Sequence, residues 1–250
     1  MSSKRALLVG INYVGTDSAL NGCWNDVKNM KEYLISTKGY KDENIVVITD
    51  EKGSPTRANI IKALVDLLLS GAEQLFFHYS GHGSYVRDNN GDEADGKDEC
   101  LVGLDFQNGG MITDDEIRGL FCLLRSNQRI FCVLDCCHSG TGMDLKYNLY
   151  ERFGGGRLAM QADTRSATTE GVCIMLSGCM DAQTSADAYI AQTYQGALTA
   201  TFLGVVKSAP TCTYEQLVQG IRKSLKDNKY SQIPMLSSGR QLSLSEKFTM

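Results

Sequence analysis

Apolar and polar residues follow two alternating patterns along the chain. Longer segments, such as 25–37 and 56–69, carry apolar residues every three or four positions, which is the period of a helix with one buried face. Between such segments lie short apolar runs of strand length, at residues 5–11, 44–49, 73–78, 128–134 and 172–177. Strands that alternate with amphipathic helices are typical of a mainly parallel sheet covered on both faces. The pattern therefore predicts an α/β fold of three layers, with helices on either side of a central sheet.

Polar and glycine-bearing stretches mark the connections between these elements. Residues 84–97 and 147–171 lack a regular apolar period, so we predict exposed loops there. Thr56 and Thr113 stand where N-caps are expected, before helices that run to residues 69 and 124. The later pattern predicts short strands at 101–104 and 232–236 and helices at 197–206 and 214–225. With 3 prolines and no repeated period, we expect one domain over residues 1–250.

Composition argues against several functional classes. The net charge is -4, and the basic residues are scattered, so we expect no nucleic-acid binding. No apolar run reaches membrane-spanning length and no secretory signal is evident, which predicts a cytoplasmic protein without membrane attachment. The 9 cysteines are then expected to be reduced thiols. The adjacent pair Cys136-Cys137 lacks the Cys-x-x-Cys spacing of a zinc site.

Two short motifs carry the candidate chemistry. Residues 79–83 read Tyr-Ser-Gly-His-Gly and residues 135–140 read Asp-Cys-Cys-His-Ser-Gly, and each motif follows a predicted buried strand. Open parallel sheets bind ligands at the carboxyl ends of their strands. A cysteine attacks a carbonyl as the thiolate, which an imidazole within reach generates or stabilises. The motifs therefore predict a cysteine nucleophile with a histidine partner.

The chain has 3 histidines, and their surroundings separate them. His138 directly follows the cysteine pair, and neighbouring side chains on an extended chain point to opposite faces. His78 lies inside an apolar run, where we expect it to be packed or hydrogen-bonded in the sheet. His82, between Gly81 and Gly83, remains as the exposed candidate base, although a structural role for this loop histidine is the competing reading.

The same alternation separates the two adjacent cysteines. One of Cys136 and Cys137 is expected to face the core and the other the site. Cys137 directly precedes the turn formed by residues 138–140, so we expect it to be the nucleophile. A lone cysteine is more often a buried structural residue, and it is the presence of His82 that favours catalysis here.

Together these motifs resemble the catalytic signature of the metacaspases, caspase-like cysteine peptidases of plants, fungi and protists. The similarity also covers residues 6–12, 22–26, 177–179 and 183–186. The resemblance implies the caspase-haemoglobinase fold, with a large-subunit-like region at about 1–146 and a small-subunit-like region at about 172–250 on either side of the 147–171 loop. It also implies a monomer, unlike the caspase dimers.

The resemblance assigns roles to individual residues. It implies a His82–Cys137 dyad, with the backbone N–H groups of Gly83 and Cys137 as the oxyanion hole. It also implies cleavage of protein or peptide substrates after Arg or Lys, because carboxylates in the pocket would bind a guanidinium or ammonium group. The matching pocket positions are Cys23, Asp26, Ser80 and Asp135.

A calcium site is the second implication of the resemblance. The matching positions are Asp98, Asp114, Asp115 and Asp144, and we expect calcium-dependent activity. Residues 88–99 look superficially like an EF-hand loop, but Glu93 occupies the sixth position, where that loop needs glycine. Without the resemblance, Asp114 and Asp115 are equally well explained as acidic residues in the first turn of the helix after Thr113.

Some features depart from the family pattern, and alternatives stay open. The chain begins on its first predicted strand, so we expect a minimal type I catalytic region without a prodomain. A catalytically silent calcium-binding regulator on the same fold is one alternative, and a legumain- or caspase-like peptidase that cleaves after Asn or Asp is another. The basic residues that are candidate self-cleavage sites are Lys146, Arg152, Arg157 and Arg165.

Overall fold

The computed structural model describes residues 3–87, 97–136, 145–151, 158–164, 166–178 and 193–250, and the backbone of 187–190. The strands are β1 (Lys4–Gly10), β2 (Ile45–Thr49), β3 (Gln74–Ser80), β4 (Gly83–Arg87), β5 (Lys97–Leu101), β6 (Ile112–Thr113), β7 (Arg129–Asp135), β8 (Tyr147–Glu151), β9 (Leu158–Ala162), β10 (Val172–Ser177), β11 (Asp187–Ile190), β12 (Thr193–Gly196) and β13 (Met235–Ser238). The helices are α1 (Cys23–Ser36), α2 (Arg57–Leu68), α3 (Phe106–Gly109), α4 (Asp114–Phe121), α5 (Ala197–Ser208) and α6 (Tyr214–Asp227).

A central sheet of eight strands organises the molecule, in the order β2-β1-β3-β7-β10-β13-β8-β9. The first five strands of that order are parallel, and the remaining pairings are antiparallel. Two small antiparallel sheets, β4-β5-β6 and β11-β12, lie outside it. The five apolar runs of the sequence thus form the parallel part of the sheet, as the pattern predicts.

Side chains that alternate along the strands feed two separate cores. Phe76 and Phe131 belong to the core under α1, α5 and α6, where Phe131 stacks on Phe202 with ring centroids 6.1 Å apart. Their neighbours, such as Phe77, belong to the core under α2 and α4. Because each strand residue changes face at every step, both faces of the sheet are apolar and both are covered by helices. The predicted three-layer α/β fold is confirmed.

Helix caps appear where the sequence places them. The hydroxyl of Thr56 accepts a hydrogen bond from the N–H of Asn59 at the start of α2. Thr113 and Glu116 form a reciprocal capping box at the start of α4. Each of these caps satisfies an N–H that a helix start leaves without an intrahelical partner. These local signals fix the helix starts on either side of β3.

The prediction of an exposed loop at residues 147–171 needs correction. Strands β8 and β9 lie in this segment as a hairpin, and β8 pairs with the edge of β13 through Ser237 and Asn148. Leu149 of β8 is only 4% exposed. The segment gives no local strand signal because its pairing partner, β13, lies about ninety residues further along the chain. Two other boundaries also differ: β4 and β5 enter the predicted 84–97 loop, and the last strand is Met235–Ser238.

Candidate active site

The two motifs meet at the carboxyl edge of the parallel strands. In the register of β1, β3 and β7, Gly10, Ser80 and Asp135 lie side by side. Just beyond the strands, the N–H of Gly81 donates to the carbonyl of Asp135 over 3.3 Å. His82 therefore lies next to the segment that leads into the cysteine pair.

Five of the predicted site residues lie outside the described part of the chain. They are the predicted nucleophile, Cys137, and Asp144, Arg152, Arg157 and Arg165.

The imidazole of His82 is partly exposed and is held on two sides. Its ring lies 4.7 Å from the ring of Tyr13, and its Nε2 lies 2.7 Å from the carbonyl oxygen of Ser18. A carbonyl oxygen only accepts hydrogen bonds, so Nε2 carries a proton in both charge states of the ring. The neutral imidazole then has Nδ1 as its basic nitrogen.

His78, which precedes the first motif, and Cys136, in the second motif, are both buried, unlike His82. His78 is fully buried, its Nδ1 lies 3.0 Å from the carbonyl oxygen of Val133, and burial lowers its pKa to about 4. The prediction that His78 is a packed, hydrogen-bonded sheet residue is confirmed. Cys136 is 1% exposed and belongs to the core under α2 and α4, so its thiol is not accessible to a substrate.

Three of the four predicted pocket residues are in contact. Asp26 in α1 and Asp135 at the end of β7 are 0% and 2% exposed. The hydroxyl of Ser80 donates to Asp26 Oδ2 over 2.6 Å. Cys23, the fourth predicted residue, is buried at the start of α1, where its N–H donates to Asn12 Oδ1 over 3.0 Å. The end of β3 and the start of α1 therefore form one polar cluster below the motifs.

Backbone groups from β12 and α5 complete this cluster. The N–H of Gly196 donates to Asp26 over 2.9 Å, and the N–H of Thr199, in the first turn of α5, donates to Asp135 over 2.7 Å. A Cβ built on Gly196 would lie 2.7 Å from Asp26 Oδ2 and closer still to Asp135 Oδ2. The two buried carboxylates thus converge beside Gly196, where the lack of a Cβ lets both approach the backbone.

The predicted calcium residues lie together beside β5. Asp98 and Asp114 are buried, and Asp114 accepts hydrogen bonds from the N–H groups of Glu99 (3.0 Å) and Asp115 (2.9 Å). The antiparallel pairing of β5 with β6 brings the start of α4 next to Asp98. Within the described part of the chain, no group of three or more His, Cys, Asp or Glu side chains is arranged to hold a metal. Carboxylate oxygens are the ligand type that calcium prefers, and Asp144, the fourth predicted calcium residue, lies outside the described residues.

Among the predicted self-cleavage positions, the structure describes Lys146. Its Nζ donates to the carbonyl oxygens of Asp163 (3.3 Å) and Ser166 (2.8 Å), and it is partly buried at the base of the β8-β9 hairpin. These bonds tie the lysine to the hairpin that it precedes. Cleavage after Lys146 would therefore require this base to open.

Comparison with known sequences decides the family. The model of the metacaspase peptidase C14 domain matches residues 4–146, which include β1, β3 and β7 and both motifs. The chain belongs to the metacaspase family. The matching model is that of a peptidase domain, which agrees with the predicted class of enzyme.

Two fungal metacaspases illustrate the similarity over the full chain. Metacaspase-1A of Neurospora crassa is 37% identical over 99% of this chain, and metacaspase-1 of Yarrowia lipolytica is 36% identical over 99%. The chain spans 65% and 64% of the length of these two relatives. The resemblance that the motifs suggest is therefore confirmed for the region that the sequences share.

Solved structures show the same fold. A protein of Geobacter sulfurreducens matches with a TM-score of 0.68 at 22% identity, and the match covers 96% of this chain and 95% of that one. Caspase-1 of Spodoptera frugiperda matches with a TM-score of 0.60 at 13% identity, over 100% of this chain and 92% of that one. The metacaspase chain thus has a caspase-like α/β fold. In the portion that the structure describes, none of the helices has the length and apolar character needed to cross a bilayer.

Several residues at the metacaspase site are not singled out by the sequence. They are Tyr13, Ser18, Gly196 and Thr199, and each contacts a predicted site residue that is at least sixty positions away. Three of them, Ser18, Gly196 and Thr199, act through backbone atoms, for which residue type gives no signal. Tyr13 lies just after β1, and apart from this position nothing in the local sequence predicts its contact with His82.

Proposed function

We propose that this metacaspase domain is a cysteine endopeptidase that cleaves proteins after Arg or Lys through Cys137 and His82, and that calcium stimulates it. The observation that carries the specificity is the convergence of the buried carboxylates of Asp26 and Asp135 at Gly196. The supporting observation for the chemistry is the position of His82 beside the segment that ends at Cys136.

The charge of the pocket supports a basic P1 side chain. Two buried carboxylates repel each other, and a nearby cation offsets that repulsion. Each already accepts a backbone N–H, which fixes its position before a substrate arrives. A guanidinium or ammonium group would add charge-assisted hydrogen bonds at this point. The same pocket would repel the carboxylate of an aspartyl substrate.

The proposed reaction follows from the arrangement of His82. The thiolate of Cys137 attacks the scissile carbonyl carbon, and the N–H groups of Gly83 and Cys137 donate to the oxyanion. The imidazolium of His82 then passes the proton on Nδ1 to the leaving amine, and a thioester remains on Cys137. Water attacks the thioester as His82 accepts its proton, and the C–S bond breaks, which releases the acid and restores the Cys137 thiolate beside the His82 imidazolium. The hydrogen bond from Nε2 to Ser18 keeps the ring oriented for both transfers.

Calcium stimulation is the regulatory part of the proposal. Asp98 and Asp114 are buried carboxylates. Asp98 lies in β5, and β5 pairs with β4, the strand that begins at Gly83, next to His82. Together with Asp115 and Asp144 they would offer calcium the oxygen ligands that it prefers. Binding there would stabilise the sheet that carries Gly83. Self-cleavage after Arg152, Arg157 or Arg165 is the further event that we propose for the same basic specificity.

Matched fluorogenic peptides test the proposal. Four peptides that differ only in Arg, Lys, Asp or Asn at P1 are assayed with and without calcium, using the wild type and Cys137→Ala. Cys122→Ala is the control, because Cys122 is an exposed thiol at the C-terminal end of α4. We expect calcium-stimulated turnover of the Arg and Lys peptides by the wild type and the control only. Preferred cleavage after Asp or Asn would contradict the pocket assignment, and absence of all turnover with retained calcium binding would favour the silent regulator.

A further inference from the structure

The segment from Asn12 to Leu20 contacts His82 through Tyr13 and Ser18, and its backbone is constrained. Tyr13 has φ 49°, in the left-handed region that non-glycine residues rarely occupy. Such a conformation costs about 1 kcal/mol or more and persists only where its surroundings enforce it. The side chain is nevertheless fully buried, so the strain is kept in order to place this particular residue.

Two tyrosine hydroxyls link the backbone of the His82 motif to the backbone after β5. The hydroxyl of Tyr13 accepts the N–H of His82 (3.0 Å) and donates to the carbonyl of Val102 (2.6 Å). The hydroxyl of Tyr79 lies 2.8 Å from the carbonyl oxygen of His82, to which it donates, and it accepts the N–H of Val102 (3.2 Å). The two hydroxyl oxygens are 3.1 Å apart. Each polar backbone group of His82 therefore bonds to a tyrosine hydroxyl, and its carbonyl also accepts the N–H of Val102 directly (3.2 Å).

These contacts persist at neutral pH because the hydroxyls keep their protons. Burial raises the pKa of both Tyr13 and Tyr79 well above the usual value. The pair also requires glycine at position 81, because a Cβ there would lie 2.8 Å from the hydroxyl of Tyr79 and 3.1 Å from that of Tyr13. The glycine before His82 is thus needed for the tyrosines to approach its backbone.

Asp50, at the end of β2, holds the strained turn in place. Its carboxylate accepts the N–H groups on either side of Tyr13, from Asn12 (2.9 Å) and Val14 (3.3 Å). It also accepts the indole N–H of Trp24 over 2.6 Å. Further along, the N–H of Leu20 donates to the carbonyl of Asn12 (2.8 Å), which closes the loop that carries Ser18.

We propose that Tyr13, Tyr79 and Asp50 are positioning residues for catalysis: the two hydroxyls fix the backbone of His82, and Asp50 fixes the turn that presents Tyr13 to one side of the imidazole. The inference rests on the proposed peptidase function, since it assigns these residues to the orientation of its base. A misplacement of about 1 Å costs on the order of 100-fold in rate when a reacting group is involved. In this proposal the turn contributes to rate through the position of His82.

Tyr13→Phe tests the hydroxyl while it keeps the ring against His82. We expect kcat per active site, counted by titration with an irreversible inhibitor, to fall about tenfold or more, with KM within about twofold. The rate of alkylation of Cys137 by iodoacetamide is measured against pH, because a well-placed imidazolium stabilises the thiolate. In Tyr13→Phe this inflection should move to higher pH, towards that of His82→Ala. Tyr40→Phe is the matched control, since its buried hydroxyl has no hydrogen-bond partner among the described residues, and its ring lies against Lys4, at the opposite end of β1 from the site.

Asp50→Asn tests the turn around Tyr13, because Asp50 accepts the N–H groups on either side of that residue. It should lower kcat in the same way, and the fluorescence of Trp24, the 1 tryptophan of the chain, should report the altered hydrogen bond. A merely structural role would lower the unfolding midpoint but leave kcat per active site and the alkylation inflection as in the wild type, which would overturn the proposal. If the wild type itself cleaves no arginyl peptide, the peptidase proposal fails, and the alkylation profiles still show whether Tyr13 positions His82.

Discussion

Gly196 lies between the two carboxylates to which we assign recognition of the substrate, and alanine at this position should disable that recognition. A Cβ at 196 would lie 2.7 Å from Asp26 Oδ2 and closer still to Asp135 Oδ2, whereas real Cβ contacts are essentially never shorter than 3.0 Å. Asp135 must therefore withdraw by about 1 Å. If Asp135 moves away, its hydrogen bond from the N–H of Thr199 lengthens. If Asp26 moves away, its hydrogen bond from the N–H of Gly196 lengthens.

The size of the effect follows from that displacement. A shift of about 1 Å in groups that hold the substrate lowers the rate on the order of 100-fold, or about 2.7 kcal/mol of transition-state stabilisation. We expect kcat/KM for arginyl and lysyl peptides to fall by this factor in Gly196→Ala. Alkylation of Cys137 by iodoacetamide does not use the pocket and should keep its wild-type rate.

A second glycine in the same region gives a matched control. Gly204 in α5 has nothing within 4 Å of the position of an added Cβ, so Gly204→Ala should keep full activity and gain about 1 kcal/mol of stability. The measurements are peptide kinetics, the alkylation rate and urea unfolding for each variant. Wild-type kcat/KM in a folded Gly196→Ala protein would refute the assignment of this cluster to the P1 pocket.

Three further changes test other parts of the structure. Gly81→Ala should lower kcat about tenfold, because the added Cβ displaces the hydroxyls of Tyr79 and Tyr13; unchanged kcat would contradict that role. Since burial lowers the pKa of His78 from 6.5 to about 4, the unfolded chain binds a proton first, and up to about 3 kcal/mol of stability should be lost as pH falls from 6.5 to 4. Urea unfolding of His78→Phe should lack this part of the pH dependence, and an unchanged slope would contradict it. Asp98→Asn should raise the calcium concentration that gives half-maximal activity, whereas an unchanged titration would remove Asp98 from the calcium proposal.

Features with a local physical cause could be predicted from the sequence. The buried parallel strands are visible as continuous apolar runs because helices cover both of their faces. The capping threonines at 56 and 113 are visible because a cap acts on the N–H groups two or three residues away. The position of His82 after a strand end also follows from local pattern, and the family resemblance adds the roles of its neighbours.

Features that depend on distant partners could not be predicted in this way. The β8-β9 hairpin pairs with the edge strand β13, and the sequence of residues 147–162 contains nothing that predicts this pairing. The contribution of Gly196 is a backbone N–H delivered to Asp26 from 170 residues away. Tyr13 acts on His82 across 69 residues, through a turn that Asp50 stabilises from a third segment. Such contacts arise only when the sheet brings several strand ends to one edge.

Covalent labelling tests the central claim most directly. The protein is treated with an arginyl chloromethyl ketone or its aspartyl counterpart, and the modified cysteine is identified by mass spectrometry of peptides. We predict that the arginyl reagent alkylates Cys137 much faster than the aspartyl reagent, and that His82→Ala suppresses the reaction. Labelling of the exposed Cys122 instead, or equal rates for both reagents at Cys137, would contradict the account of an Arg/Lys-directed thiol peptidase.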